Sequence, residues 1–280
     1  MKKVAIGVAS WGSPDPTWYV KLATICLHAE RNGIEIESVI GVTSALPDWN
    51  KNRVIFEKGR LDKTDSNRGT LAKTFMNSDA EWLFQIDDDT TPPADVLSRL
   101  LKADRDFIAG VYFNTRPPYN PIAYFRSDNG MYSAIEDFPK GTLIQVDSVG
   151  MGCTLIHKSV FLKIMDQFEV YRRPNGSLFP LHISQIRDDK VYEGKNREPF
   201  LSGGVVRFPV IKANKFEQPF PFFAMEYGRT EDHHFCELAD QVGVKPWLDT
   251  DIKCGHWKIA EHTVSHFEAQ RDNNEGIKSD

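Results

Sequence analysis

Short apolar runs alternate with helically spaced segments through the first part of this chain, and that alternation confines it to layered α/β architectures. Residues 3–10 form a compact apolar run that reads as a first strand. Residues 16–32 place Val20, Leu22, Ala23, Cys26, Leu27 and Ala29 at helical spacing and stop at Asn32-Gly33, a helix terminator. Residues 34–43 are rich in β-branched side chains and read as a second strand. A loop containing Pro47 leads to a helix over 67–76, and EWLFQID (81–87) is a third strand. Thr91-Pro92-Pro93 reads as a capped helix start with Val96, Leu97, Leu100 and Leu101 behind it. The fourth strand is FIAGVYF (107–113). Strands joined by helices of this length predict a largely parallel sheet.

Beyond residue 120 the pattern shifts. Hairpin-like strands at 122–125 and 131–134 precede QVDSVGMGCTLIH (145–157), an apolar strand interrupted by Gly150 and Gly152, and then a helix over 159–168. Residues 170–222 are rich in Pro, Gly, Arg and aromatic side chains and show no helical period, which reads as a long functional loop. The division expected is 1–115 and 116–267 as two halves of one domain, with 268–280 as a frayed tail.

Composition excludes several classes. With 18 Phe, 6 Trp and 8 Tyr the chain has ample apolar area to fold. No stretch approaches the ~18 uninterrupted apolar residues of a membrane span. The short run after Met1-Lys2-Lys3 lacks a signal-peptide core, so a cytoplasmic protein without a transmembrane segment is expected. Cys26, Cys153, Cys236 and Cys254 contain no C-x-x-C pair and read as free thiols. A net charge of -5 argues against general nucleic-acid binding.

Three constellations carry chemistry. Asp87-Asp88-Asp89 ends the third strand; alternation projects Asp87 and Asp89 to one side, where two carboxylates call for a divalent cation with oxygen ligands, Mn2+ or Mg2+. Thr230-Glu231-Asp232 precedes a helix over 232–243, where the helix dipole favours an ionised carboxylate suited to act as a base. Cys254-Gly255-His256 supplies an imidazole, so that Asp89 and His256 would share one metal. A zinc site built from His233, Cys236 and Cys254 lacks the spacings of structural zinc sites. His262 and His266 read as surface residues.

The strand-end acidic triplet, VGMGCTLIHKSVF, TEDHHFCELADQVGV and the downstream Cys-Gly-His, in that order, resemble the GT-A glycosyltransferases, family-2-like members in particular, over residues 3–258. The resemblance implies a GT-A fold: a Rossmann-like mixed α/β sheet flanked by helices, with a nucleotide-sugar-binding half followed by an acceptor and catalytic half. It implies that Asp87 and Asp88 face a nucleotide-sugar, that Asp89 and His256, with Asp87, hold Mn2+ or Mg2+, and that Asp232, paired with Glu231, is the base of an inverting transfer. Arg68 resembles the basic position facing the nucleotide; Ala9, Ser10 and Trp11 would lie near the nucleobase, and Gly150 and Gly152 would line the sugar and acceptor site. A UDP-sugar is the first donor to consider, by its frequency in the fold.

The Q-x-x-R-W motif of processive synthases is absent, which implies a non-processive enzyme. Retaining GT-A enzymes also carry a C-terminal His ligand, so stereochemistry stays open. A sugar-nucleotide pyrophosphorylase would place a Gly-rich, basic signature after the first strand, and GVASWGSPDP lacks the basic residue. A non-catalytic carbohydrate-binding module is the remaining class. Aromatic and arginine side chains within 170–222, among them Tyr171, Arg172, Arg173, Phe179 and Phe216, suit an acceptor glycan, a lipid-linked saccharide or a modified nucleic-acid base alike.

Overall fold

A strand that is apolar on both faces is stable only inside a sheet covered on both sides, and the first strand meets that condition. The computed structural model describes residues 1–10, 16–43, 54–58, 64–115, 119–173, 176–185, 200–202, 205–207, 211–216, 219–225 and 229–256. Its first half runs β1 (Lys3–Ala9), α1 (Pro16–Arg31), β2 (Glu35–Thr43), β3 (Val54–Lys58), α2 (Thr64–Met76), β4 (Trp82–Asp87), β5 (Thr90–Thr91), α3 (Val96–Lys102) and β6 (Phe107–Val111). Then follow β7 (Ala123–Arg126), β8 (Tyr132–Ala134), β9 (Leu143–Gln145), β10 (Ser148–Val149), β11 (Cys153–His157), α4 (Lys158–Gln167), β12 (Phe168–Arg172) and β13 (Leu178–His182). The last elements are β14 (Phe200–Ser202), β15 (Val205–Arg207), β16 (Ile211–Ala213), α5 (Glu231–Gln241), β17 (Trp247–Lys253) and β18 (Gly255–His256).

Eight strands form the central sheet in the order β3-β2-β1-β4-β11-β6-β17-β9. The four on the β3 side are mutually parallel. β11 enters antiparallel between β4 and β6, and β9 closes the other edge antiparallel to β17, so the sheet is mixed. Alternate residues of β1 and β4 feed two cores. Val4, Ile6, Phe84 and Ile86 pack with Trp18, Ile25, Leu97 and Leu100 of α1 and α3. Ala5, Ala9 and Leu83 pack with Phe75, Phe161 and Phe235 of α2, α4 and α5. Phe161 and Phe235 are fully buried; truncating such a ring to alanine costs about 3–5 kcal/mol.

Three expectations change. Thr91 does not cap a helix: Thr90–Thr91 pairs instead with β18, placing His256 opposite Thr90. Pro92 and Pro93 force extended backbone on the residues before them, and α3 starts only at Val96, after Asp95. The strand expected over 145–157 divides in two. β10 joins a small sheet with β7 and β8, and β11 enters the central sheet. The chain crosses between them at Gly150–Gly152, where a Cβ on Gly150 would fall 2.7 Å from Ile122 and 2.8 Å from the ring of Tyr112. Residues 170–222 are not a plain loop, since β12, β13 and β16 form a three-stranded antiparallel sheet and β14 pairs with β15.

Candidate active site

β4 ends at Asp87 between β1 and β11, at the C-terminal edge of the parallel strands, where open α/β sheets bind ligands. Because the strand stops there, Asp88 and Asp89 leave the pleat and the three carboxylates reach three different partners. Asp87 takes both oxygens to the Arg68 guanidinium, at 3.0 and 3.2 Å. Asp88 accepts from Ser10 Oγ at 2.6 Å. Asp89 faces His256. The shared projection of Asp87 and Asp89 therefore gives way to a fan. Trp18 secures the turn, its indole N–H donating to the carbonyls of Asp87 and Thr90, both at 3.1 Å.

Arg68, on α2, ties the triplet to the start of α5. Its side chain is 3% exposed, and its Nε lies 3.4 Å from Glu231 and 3.4 Å from Asp232. Its Nη1 donates to the amide oxygen of Gln85, a fully buried side chain, at 3.3 Å. Three carboxylates thus surround one guanidinium. Burial opposes the charge on Arg68, but Asp87, Asp232 and Glu231 outweigh it and hold the guanidinium charged. Burial also raises the Asp87 carboxyl, against the pull of Arg68.

Asp232 responds most. Burial, with Arg68 opposing and the charges of Glu231 and Asp87 adding, pushes its carboxyl up to about 7. The helix dipole expected to keep it ionised is outweighed by desolvation. Its Oδ1 is buried and, although near Arg68, makes no hydrogen bond. Tyr112 roofs the same space: its hydroxyl accepts from the Gly152 amide at 3.1 Å, and burial, then Asp232 and Asp87, hold the phenol well above its ordinary value. Gly152 lets the backbone pass close against polar side chains, since a Cβ there would sit 2.9 Å from Asp87 Oδ2, 2.9 Å from Thr90 Oγ1 and 3.0 Å from Tyr112. The Thr90 hydroxyl, buried at that close approach, has no hydrogen-bond partner.

The β5–β18 pairing holds His256 against Asp89. Its Nδ1 lies 2.7 Å from the carbonyl of Phe113, which only accepts, so Nδ1 carries a proton. Nε2 then turns toward Asp89 Oδ2 at 3.1 Å. In the neutral ring two lone pairs would oppose each other there, an arrangement that needs a proton or a cation between them. A carbonyl-oriented imidazole beside a carboxylate fits a divalent ion. No group of three or more His, Cys, Asp or Glu side chains gathers as a metal site among the described residues. A two-ligand site suits Mg2+ or Mn2+ completed by phosphate oxygens and water.

The other expected residues fall around this centre or outside it. Ala9 is buried at the end of β1, next to Ser10; Trp11, His262 and His266 lie outside the described residues. The alternative zinc set does not assemble. Cys254 packs with Cys153 across Gly110, whereas Cys236 hydrogen-bonds the Val149 carbonyl and His233 the Ser148 hydroxyl. Trp18, Gln85, Thr90 and Tyr112 take part without having been singled out in the sequence. Trp18, Gln85 and Tyr112 sit in apolar element patterns and Thr90 in a polar turn, and only the tertiary fold brings their polar atoms together. A hollow of about 350 Å³ lined by Lys163, Asp166 and Gln241 lies at the opposite end of α5 from Asp232.

No known family model matches the chain, and no curated protein sequence does. Among solved structures, that of GalNAc-T7 with UDP, GalNAc and Mn2+ aligns with a TM-score of 0.52 over 93% of this chain, at 10% sequence identity. The chain spans 45% of that structure's length. The crystal structure of A197 from STIV aligns with a TM-score of 0.43 at 13% identity, over 92% of this chain and 87% of that one. The mixed, helix-flanked sheet is the GT-A fold.

Proposed function

We propose that the chain is a metal-dependent glycosyltransferase that moves a sugar from a nucleotide-sugar to an acceptor hydroxyl. The observation that carries this reading is the Asp89–His256 pair, posed for a cation on the same strand edge as Asp87, which Arg68 ties to Asp232. The likeness of fold to a glycosyltransferase crystallised with UDP, GalNAc and Mn2+ adds support.

In this reading Asp89 and His256 hold Mn2+ or Mg2+, and Asp87 serves through Arg68 as the site's anchor. When bound, such an ion stabilises charge developing on a departing diphosphate. Ala9, Ser10 and Asp88 border the nucleoside, and Gly150 and Gly152 carry the backbone of the sugar and acceptor side close against Tyr112, Asp87 and Thr90. Asp232 takes the proton from the attacking acceptor hydroxyl. A carboxyl raised to about 7 is well matched to that work near neutral pH. Arg68 keeps the carboxylates of Asp87, Glu231 and Asp232 together without neutralising all of them. The two halves, 1–115 and 116–267, then supply donor and acceptor surfaces in turn.

The test is a panel of nucleotide-sugars with Mn2+, UDP-GalNAc among them, read by release of nucleoside diphosphate and by the anomeric configuration of the product. Release that stops on metal chelation and in Asp232→Asn is expected, with nucleotide binding retained in that variant. Failure of the wild type to bind any nucleoside diphosphate with Mn2+ would overturn the reading and favour a non-catalytic carbohydrate-binding module. Full turnover in Asp232→Asn would remove Asp232 as the base.

A further inference from the structure

A second polar cluster lies one residue beyond Asp232, where α5 packs on the small sheet of β7, β8 and β10. His233 stacks on Tyr132 at 4.1 Å between ring centres and meets the edge of Tyr124 at 4.7 Å. The Ser148 hydroxyl and His233 Nδ1 are 2.7 Å apart, which fixes the plane of the imidazole. Burial and then the charge of Arg229 lower His233 to about 4, so the ring is neutral and behaves as an aromatic surface at ordinary pH. Farther along the helix the Tyr132 hydroxyl donates to Glu237 at 2.9 Å.

Glu237 collects two arginines. Arg229 pairs with its Oε2, and Arg126 lies 3.7 Å from its Oε1 while its guanidinium stands 5.8 Å from the centre of the Tyr132 ring. The Glu237 side chain is only 8% exposed, whereas those of Arg126 and Arg229 are 36% and 39% exposed. The carboxylate is therefore underneath and the cations face outward. Each guanidinium has five donors, and one carboxylate already shared with a tyrosine leaves most of them open to solvent. Among the described residues the other acids are engaged elsewhere: Asp147 accepts from the Arg126 amide at 2.8 Å and pairs with Lys245 at 2.6 Å, and Asp240 lies 3.9 Å from the same lysine.

We propose that Tyr124, Tyr132 and His233 form the floor, and Arg126 and Arg229 the anion clamp, of an acceptor subsite for an acidic saccharide bearing a phosphate or carboxylate. The proposal rests on Asp232 being the base. Glu237, which marks the arginine pair, lies five residues from Asp232 on one helix, about 7.5 Å along its axis and about 140° around it. Tyr124, whose phenol is raised by burial and then by the charge of Asp232, links the base to the aromatic floor. A substituted sugar ring lying on the aromatic floor spans that interval, with its hydroxyl at Asp232 and its acidic group at the arginines.

The experiment first measures UDP binding with Mn2+ to the full chain, which tests the glycosyltransferase reading by itself. With UDP and Mn2+ saturating, so that the donor site is filled, glucose, glucose 6-phosphate and glucuronate are titrated by calorimetry and ligand-observed NMR. At least one anionic probe is expected to bind about tenfold or more tightly than glucose, the size of a charge-assisted hydrogen bond. Arg126→Met with Arg229→Met should reduce that probe to the level of glucose while UDP affinity holds. Glu237→Gln, which removes the counter-charge and keeps the shape, should tighten it. An octyl ester of the sugar phosphate separates the sources: a gain over glucose 6-phosphate indicates a lipid-linked acceptor, and equal affinity a free one. Equal binding of neutral and anionic probes, or an anion preference that survives the double substitution, would overturn the subsite even if UDP binds normally.

Discussion

Replacing Arg68 by methionine keeps most of the side chain's volume and removes the one cation that three carboxylates share. Arg68 is 3% exposed, and the side chains of Asp87, Glu231 and Asp232 are 16%, 11% and 18% exposed, so water replaces little of the lost interaction. Removing one partner of a buried ion pair costs about 3–5 kcal/mol. With three carboxylates affected, the upper part of that range is expected. At about 2–4 °C per kcal/mol for a chain of this size, Tm should fall by about 10 °C or more. The loss depends on pH. Without the guanidinium Asp87 and Asp232, already raised by burial, hold their protons to still higher pH in the folded chain than in the unfolded one, where such carboxyls titrate at about 4. Raised folded values mean stability that is present below the unfolded value and lost as pH rises through the folded ones. Calorimetry of the variant should therefore show a deficit against wild type that is larger at about pH 8 than at about pH 5. Arg68→Met combined with Asp232→Asn should recover part of it, since one of the repelling charges is gone. A single variant within about 1 kcal/mol of wild type at the higher pH, as for an exposed pair, would refute the reasoning.

Other consequences concern turnover and binding. The wild-type rate should rise with pH up to about 7, because Asp232 must lose its proton to act, and a profile flat through that range in a kcat/KM titration would contradict the assignment. By the same linkage Asp232→Asn should be more stable than wild type above about 7 and not at acid pH, read by denaturant unfolding. Gly152→Ala sets a methyl 2.9 Å from Asp87 Oδ2 and should lower stability by about 1–3 kcal/mol and, by displacing Asp87, weaken UDP binding; unchanged calorimetric affinity would show that the nucleotide does not depend on the placement of Asp87. His256→Ala should weaken Mn2+ binding by at least about tenfold, since outer-shell changes alone reach that size, and an unchanged Mn2+ isotherm would remove it from the metal site.

Much of the scaffold was legible in the sequence because β1, β4 and β6 are buried on both faces and so read as unbroken apolar runs, while α5 shows its core face as Phe235, Leu238 and Ala239. Offsets of one to three residues at the ends of α1, α2, α4 and α5 left the reading of those elements intact. What escaped depends on partners far along the chain. Thr90–Thr91 carries a helix-start signal, and only pairing with Gly255–His256 makes it a strand. Asp87 and Asp89 seemed to share a face because strand alternation was carried past the point where β4 stops. Arg68 could be assigned a ligand-facing role from its neighbours in sequence, whereas Glu231 lies 163 residues away and meets it only in the fold. The acidic motifs marked where chemistry concentrates; how their charges are distributed among Arg68, Ser10 and His256 is a property of tertiary packing.

The two-residue bridge between β5 and β18 also sets an order of events during synthesis. Asp89 and His256 are 167 residues apart, and the sheet strands β1 to β4 leave the ribosome long before Gly255–His256 does. A nascent chain can assemble the Arg68–Asp87 half of the centre early, yet it has no imidazole opposite Asp89 until nearly all the described chain has been made. In the proposed reading, cation affinity would then appear late, once the last described strands have docked. An ion bound there would favour the paired form by mass action and hold β18 to the edge that the first strands built.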